Sequence, residues 1–277
     1  MSLVTVEKPR PHVSLVKLNR PERLNAMSFR LITDLCDALA RVAVDNDTWV
    51  CVLTGEGRGF CSGLDLEDPG EIPNIDGLPM ARAGMRAMSH FSKVVPAMRA
   101  IPQPIVAAIN GPAYGGGMCL SLGADIRIAG ESAEFNATGI VNGLTSTELG
   151  ASYLLPRLIG ASRSTEILLT GRRVSAAEAD RIGLVSRVVP DRALLDEAYE
   201  IAARMCEFSP HGIAMSKAVI WANLETASLA AAIDIEDRNQ LLLGNTVNLV
   251  ECIVARKQKR KPVYTDAMRT DDPAAQR

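Results

Sequence analysis

Histidine is scarce: His12, His90 and His211 are the only three in 277 residues, and they lie far apart, so no metal-ligand cluster is suggested. The six cysteines are scattered without C-x-x-C spacing. They read as small buried hydrophobes of a reducing compartment rather than as a disulfide framework. A net charge of −2 leaves no basic footprint for nucleic acid. No apolar run is long enough to span a bilayer, and Met1 to Pro11 lacks the apolar core of a signal peptide. The expectation is a cytoplasmic protein without nucleic-acid or membrane partners. The dinucleotide pattern G-x-G-x-x-G and the Gly-Lys-Ser/Thr of a phosphate-binding P-loop are absent too.

What is present is glycine in two places where it can expose backbone. An apolar run, Ile105 to Ile109, has the length of a buried strand. Asn110-Gly111-Pro112 ends it, Gly115-Gly116-Gly117 follows, and Met118 to Leu122 reads as a helix. First-turn amides of a helix have no internal partner, and glycine permits close approach. Such a turn suits a phosphate, a carbonyl oxygen that becomes negative during reaction, or simply tight helix–strand packing. A second stretch, Gly55 to Leu66, also follows a strand-like run, Trp49 to Leu53. Two strands that each empty into a glycine-rich loop can bring two backbone N–H groups to one point, which is an oxyanion hole.

The rest of the chain alternates strand and helix, arguing for crossover units and parallel pairing. Val13 to Leu18 reads as a strand. Ser28 is a candidate N-cap for a helix from Phe29 to about Val42. Gly55 to Gly84 has no regular apolar repeat and reads as a long functional or mobile loop. Met85, Met88, Phe91, Val94, Val95 and Met98 follow helical spacing, and the methionines are expected to pack as core. Ser175 with Glu178 forms a capping-box pattern. Beyond Asp191 the periodicity is helical: Leu194 to Met205, Ile213 to Trp221, Ala227 to Leu243 and Val247 to about Lys257. The predicted division is an α/β core over 1–189 and a helical region over 190–277, ending in a polar tail from Thr265 that frays.

Several stretches, in this order, resemble the crotonase superfamily, the enoyl-CoA hydratase/isomerase proteins. They are Leu18-Asn19-Arg20-Pro21-Glu22-Arg23-Leu24-Asn25-Ala26, Phe60-Cys61-Ser62-Gly63-Leu64-Asp65-Leu66, Pro104 to Gly111, Gly115-Gly116-Gly117, Ala124-Asp125-Ile126-Arg127, Leu168 to Gly171, and Ala177 to Val185. The resemblance covers nearly the whole chain and is specific for the superfamily, not for one reaction. It implies an α/β fold, a spiral of ββα repeats with a C-terminal helical region that serves oligomerisation, assembled as a homotrimer or homohexamer. It implies an acyl-CoA thioester substrate, with no cofactor beyond the coenzyme A that the substrate carries. Carried over by position, the N–H groups of Leu64 and Gly116 would hold the thioester oxygen as it becomes an enolate. Arg23 and Leu24 would line the CoA entrance, Asp65 would contact the adenine end through backbone atoms, and Lys259 would reach CoA phosphates. Lys259 also reads as the solvated basic end of a helix.

The chain departs from the hydratases at both of their glutamates. The position two residues after the third glycine holds Cys119, and the position in the segment after Phe135 holds Gly139. Water addition needs one group to activate water and one to manage the α-proton. One acid remains, Glu148, in a segment that resembles the one carrying the single catalytic glutamate of the peroxisomal-type enoyl-CoA isomerases. Leu144 and Leu149 are candidates for an apolar wall around it. Three readings follow: an isomerase working through Glu148, a hydratase using Glu148 with another partner, or an acyl-CoA-binding protein with impaired catalysis.

Overall fold

The computed structural model describes residues 2–265; all of the expected tail except Thr265 falls outside them. In chain order the elements are β1 (Val4–Arg10), β2 (Val13–Leu18), α1 (Phe29–Ala43), β3 (Val50–Gly55), α2 (Met80–Ser92), α3 (Val94–Ala100), β4 (Ile105–Ile109), β5 (Pro112–Tyr114), α4 (Gly116–Gly123), β6 (Ile126–Gly130) and β7 (Glu134–Asn136). There follow α5 (Ala151–Ile159), α6 (Ala161–Thr170), β8 (Arg173–Ser175), α7 (Ala176–Arg181), β9 (Arg187–Val189), α8 (Leu194–Cys206), α9 (Pro210–Asn223), α10 (Leu229–Gly244) and α11 (Val247–Gln258).

Six strands form one sheet in the order β1-β2-β3-β4-β6-β9, and β5-β7-β8 form a second. From β2 to β9 the large sheet is parallel throughout. Its apolar residues divide by the period of two that a strand imposes. Val16, Leu18, Cys51, Leu53, Ile105, Ala107 and Ile109 face the core shared with α1, α3 and α4. Val13, Leu15, Val50, Val52, Val106, Ala108 and Ile128 face the other way, and α8 covers them with Leu194, Ala198 and Ala202 at helical spacing. Burial on both faces is why these strands read as continuous apolar runs instead of alternating ones. β1 pairs antiparallel at the sheet edge, with only Val4 buried, so it carries no strand signature in the sequence.

The caps at Ser28 and Ser175 are present: each Oγ accepts the amide three residues on, from Leu31 at 3.1 Å and Glu178 at 3.3 Å. The other half of the Ser175 box is absent, because the Glu178 carboxylate binds Arg172 instead, at 2.9 Å. The methionine helix is a correction. It breaks at Lys93, and Pro96, which has no N–H, cannot donate to the carbonyl of Ser92 four residues back. Met98 is fully buried on α3, but Met85 and Met88 are 69% and 53% exposed, since α2 stands off the core and buries only Phe91.

Among the described residues of α9 to α11 only Lys217, Asn248 and Ala255 are buried. α9 is pinned to the core by a polar cluster. Lys217 Nζ donates to the carbonyls of Met98 (3.0 Å) and Gln103 (2.9 Å) and pairs with Asp125 (3.1 Å), and Trp221 Nε1 donates to the same carboxylate at 2.6 Å. No helix among the described residues is long and apolar enough to cross a membrane.

Candidate active site

β3 and β4 are parallel neighbours in register, Leu53 beside Ala107, so their following loops leave the same edge of the sheet. The first loop is held from both ends by asparagines. Asn25, left-handed at φ 56° directly after Leu24 at φ 50°, accepts the Arg20 amide (2.8 Å) and donates to the carbonyls of Glu56 (3.0 Å) and Gly59 (2.8 Å). Asn110 donates to the carbonyls of Gly55 and Gly57, both at 2.9 Å. Further on, the Met27 amide donates to Gly63 at 2.7 Å and the Asp65 amide to Met27 at 3.0 Å. The buried Asp65 carboxylate takes Arg20 (2.6 Å), Arg23 (2.8 Å) and the amides of Glu67 (3.1 Å) and Asp68 (2.9 Å). Arg23 above all, with these other donors, outweighs burial and holds Asp65 well below the usual carboxylate range.

The second loop interlocks with the first through glycine. A Cβ on Gly117 would lie 1.9 Å from the carbonyl oxygen of Cys61, and one on Gly63 would lie 2.8 Å from that of Tyr114 and 3.5 Å from the Gly116 nitrogen. Side chains at either position would wedge the loops apart. Gly116 opens α4, where the helix supplies no acceptor for the first amides. Among the described residues no acceptor meets the amide of Leu64 or of Gly116.

Both residues line one cavity of about 340 Å³ together with Glu148, and the remaining wall is largely apolar: Met27, Phe29, Ile72, Met88, Phe91 and Leu149. The Glu148 carboxylate has no hydrogen-bond or ion-pair partner among the described residues, and burial raises its pKa above the ordinary 4.5. It lies beside the start of α4: a Cβ on Gly115 would be 3.3 Å from Glu148 Oε1 and 2.6 Å from Thr138 Oγ1. Leu149 (φ 45°) and Gly150 (φ 92°) are both left-handed and turn the chain into α5 directly after Glu148. Such a conformation costs a leucine about 1–3 kcal/mol and marks a place where the surroundings dictate the backbone. Of the two expected wall residues only Leu149 lines the cavity; Leu144 is 60% exposed.

The two positions where hydratases carry glutamate are closed. Cys119 is buried in α4, its thiol donates to the Glu148 carbonyl at 3.4 Å, and burial pushes the thiol pKa well up, so it is not a thiolate at neutral pH. At Gly139 an added Cβ would lie 2.0 Å from the Thr145 carbonyl oxygen and 3.2 Å from Ser146 Cα. Backbone fills that space, so no side chain enters without moving the loop.

Arg23 and Leu24 sit at the base of the first loop, Arg23 bound to Asp65 and to Glu67 (2.7 Å), and Leu24 packed on Gly59. Lys259 ends α11 in a left-handed conformation and does not line the cavity. Sequence reading overlooked Asn25, Asn110, Met27 and Thr138. Asn110, beside Gly111, reads from its neighbours only as turn punctuation, and Asn25, between Leu24 and Ala26, carries no local signal of its own.

A family model described as enoyl-CoA hydratase/isomerase matches residues 10–267. A Mycobacterium tuberculosis protein called probable enoyl-CoA hydratase EchA12 is 52% identical over 267 residues, 96% of this chain and 94% of its own. The crystal structure of a probable enoyl-CoA hydratase/isomerase from Mycobacterium abscessus superposes with a TM-score of 0.91 at 47% identity, over 96% of this chain and 99% of that one. A structure described as a monofunctional enoyl CoA isomerase from M. smegmatis matches with a TM-score of 0.71 at 46% identity, over 84% of this chain and 99% of that one. Family model, sequence relatives and fold agree: the chain belongs to the enoyl-CoA hydratase/isomerase family.

Proposed function

We propose that this family member is an enoyl-CoA isomerase that shifts a double bond with one carboxylate. The reading rests on Glu148 sharing a cavity with the Leu64 and Gly116 amides while Cys119 and Gly139 stand where a second acid would be needed. The two amides form the oxyanion hole for the thioester carbonyl. Glu148 removes a proton from C2 of a 3-enoyl-CoA, the electron pair passes into the dienolate held by the amides, and the same carboxyl returns its proton to C4. Nothing is oxidised or reduced, and no cofactor enters the step. Each oxyanion-hole donor contributes about 2.7–4 kcal/mol to the transition state. The apolar wall raises the basicity of Glu148 and keeps the carried proton from water.

A hydratase reading is favoured by the name of the M. tuberculosis relative, and an isomerase reading by that of the M. smegmatis structure. Names therefore do not decide, and the crowding at Gly139 argues against a second acid. We further propose a homotrimer or homohexamer. The exposed Ile220, Leu241, Leu242, Val250 and Ile253 of α9 to α11 support this, and light scattering that reports a monomer at micromolar concentration would overturn it.

Glu148→Gln keeps the size and removes the base. Isomerisation of 3-enoyl-CoA should fall by about 10²–10⁴-fold, with affinity for acetoacetyl-CoA little changed. Because burial raises the Glu148 pKa, the wild-type rate should rise with pH through an apparent pKa above 4.5. Cys119→Ala should cost far less activity than Glu148→Gln. A fully active Glu148→Gln beside a dead Cys119→Ala would refute the assignment.

A further inference from the structure

Between α9 and the segment from Leu122 to Arg127 lies a cavity of about 410 Å³ that shares no lining residue with the catalytic cavity. Its walls are mostly apolar, with Leu122, Leu154, Leu158, Met205, Ile213 and Trp221 among them. Four charged side chains line it too: Asp125, Arg127, Arg157 and Lys217. Asp125 is already neutralised. It pairs with Lys217 (3.1 Å) and accepts Trp221 Nε1 (2.6 Å) and the Ile105 amide (2.7 Å). Lys217 in turn gives its other protons to two carbonyls. The two arginines are left over. Arg127 donates from Nε to the Leu184 carbonyl (2.9 Å) and from Nη1 to that of Ala124 (2.7 Å), and its Nη2 meets no acceptor among the described residues. Arg157 donates to the Tyr153 carbonyl (2.8 Å) and stacks on the Tyr153 ring. Neither forms an ion pair with a carboxylate among the described residues. Burial lowers the pKa of Arg127 to about 10, and the attraction of Asp125 offsets this only in part. A cation drawn out of water without a counter-ion is a costly arrangement.

We infer that this cavity binds an apolar carboxylate of the fatty-acid type, with its headgroup on Arg127 and its chain among the leucines. Charge and wall chemistry together select that class. The lining carries a surplus of positive charge, and a guanidinium fork matches the two oxygens of a carboxylate. The remaining wall favours an apolar body, and each methylene buried there raises affinity about fourfold. A phosphate dianion has no such body, and burying its second charge among leucines is unfavourable. The volume lies within the range of small-molecule sites. The inference does not depend on the thioester reading, because the ligand is a free acid and the site is a separate one.

The test is calorimetry and tryptophan fluorescence of the full chain at neutral pH with sodium octanoate, with octanol as the uncharged control. The wild type should bind octanoate more than about tenfold more tightly than octanol, the yield of hydrogen bonds to a charged group. Trp221 lines the cavity and Trp49, the other tryptophan, does not. In Trp49→Phe the emission of Trp221 should therefore change with octanoate and saturate. Arg127→Met should abolish the preference for octanoate and leave octanol binding unchanged. Neither acetoacetyl-CoA nor inorganic phosphate should displace octanoate. Octanoate bound no more tightly than octanol, an unchanged Trp221 signal, a preference that survives in Arg127→Met, or displacement by either competitor would overturn the inference. If Arg127→Met does not fold, the wild-type comparison and the Trp221 signal still decide. Each of these outcomes leaves the thioester reading intact.

Discussion

On the donor side of the cavity, Leu64 and Gly116 present backbone, and that backbone is clamped by Asn25, Asn110, Asp65 and glycines with no room for a methyl group. On the acid side, Glu148 is one unpartnered side chain, and the helix opposite it, α2, buries only Phe91. The donor side works with groups that every residue carries, so it is a matter of conformation. The acid side works with a particular side chain, so it is a matter of identity. Changing the first should break the protein; changing the second should redirect its chemistry. Membership of the family rests on the match over residues 10–267; on the proposed reading, the choice between adding water and moving a double bond lies with the acid side.

Glycine substitutions on the two sides should behave oppositely. Gly117→Ala forces a Cβ to within 1.9 Å of the Cys61 carbonyl, so the loops must part. A loss on the order of 4 kcal/mol or more is expected, since backbone rather than a flexible side chain must give. Denaturant unfolding checks it, and a variant as stable as wild type would show that the loops are not interlocked. Asp65→Asn should cost about 3 kcal/mol by leaving Arg20 buried with a weakened partner. The Asp65 pKa is depressed in the fold, so its contribution is full above the ordinary value of 3.8 and is lost as pH falls below it. The difference between wild type and variant should therefore shrink on acidification below that value; a difference that grows there would contradict the assignment. On the acid side, Gly84→Ala in α2 meets no atom within 4 Å and should stabilise the helix by about 0.5–1 kcal/mol. A destabilised Gly84→Ala would mean that α2 is packed against something in solution, and the contrast between the two sides would weaken.

The two glycine loops were legible in the sequence because their signals are local: two apolar strands, each followed by glycine, which the fold places side by side in a parallel sheet. The alternation of strand and helix announced that sheet, and buried strands such as Ile105–Ile109 stand out as apolar runs. What stayed hidden depended on distant partners. Asn25 acts on Glu56 and Gly59, and nothing in its neighbours predicts that reach. β1, β5, β7, β8 and β9 are short or lie at an edge, so their pairing does not come from their own pattern. The spacing of Met85 and Met88 marks a face, yet periodicity cannot say whether a face meets core or, as for Met88, a cavity. Glu148 came from resemblance; its apolar surroundings came from Met27, Phe29 and Phe91, far away in the chain.

The central claim is that one carboxylate moves a proton and no second acid activates water. Incubating the protein in ¹⁸O-labelled water with 3-enoyl-CoA, and separately with 2-enoyl-CoA, and identifying the thioester products tests it directly. The account predicts unlabelled 2-enoyl-CoA from the first and no labelled 3-hydroxyacyl-CoA from the second. Labelled 3-hydroxyacyl-CoA from 2-enoyl-CoA, with 3-enoyl-CoA left unchanged, would contradict it and show that water is activated without glutamate at positions 119 and 139.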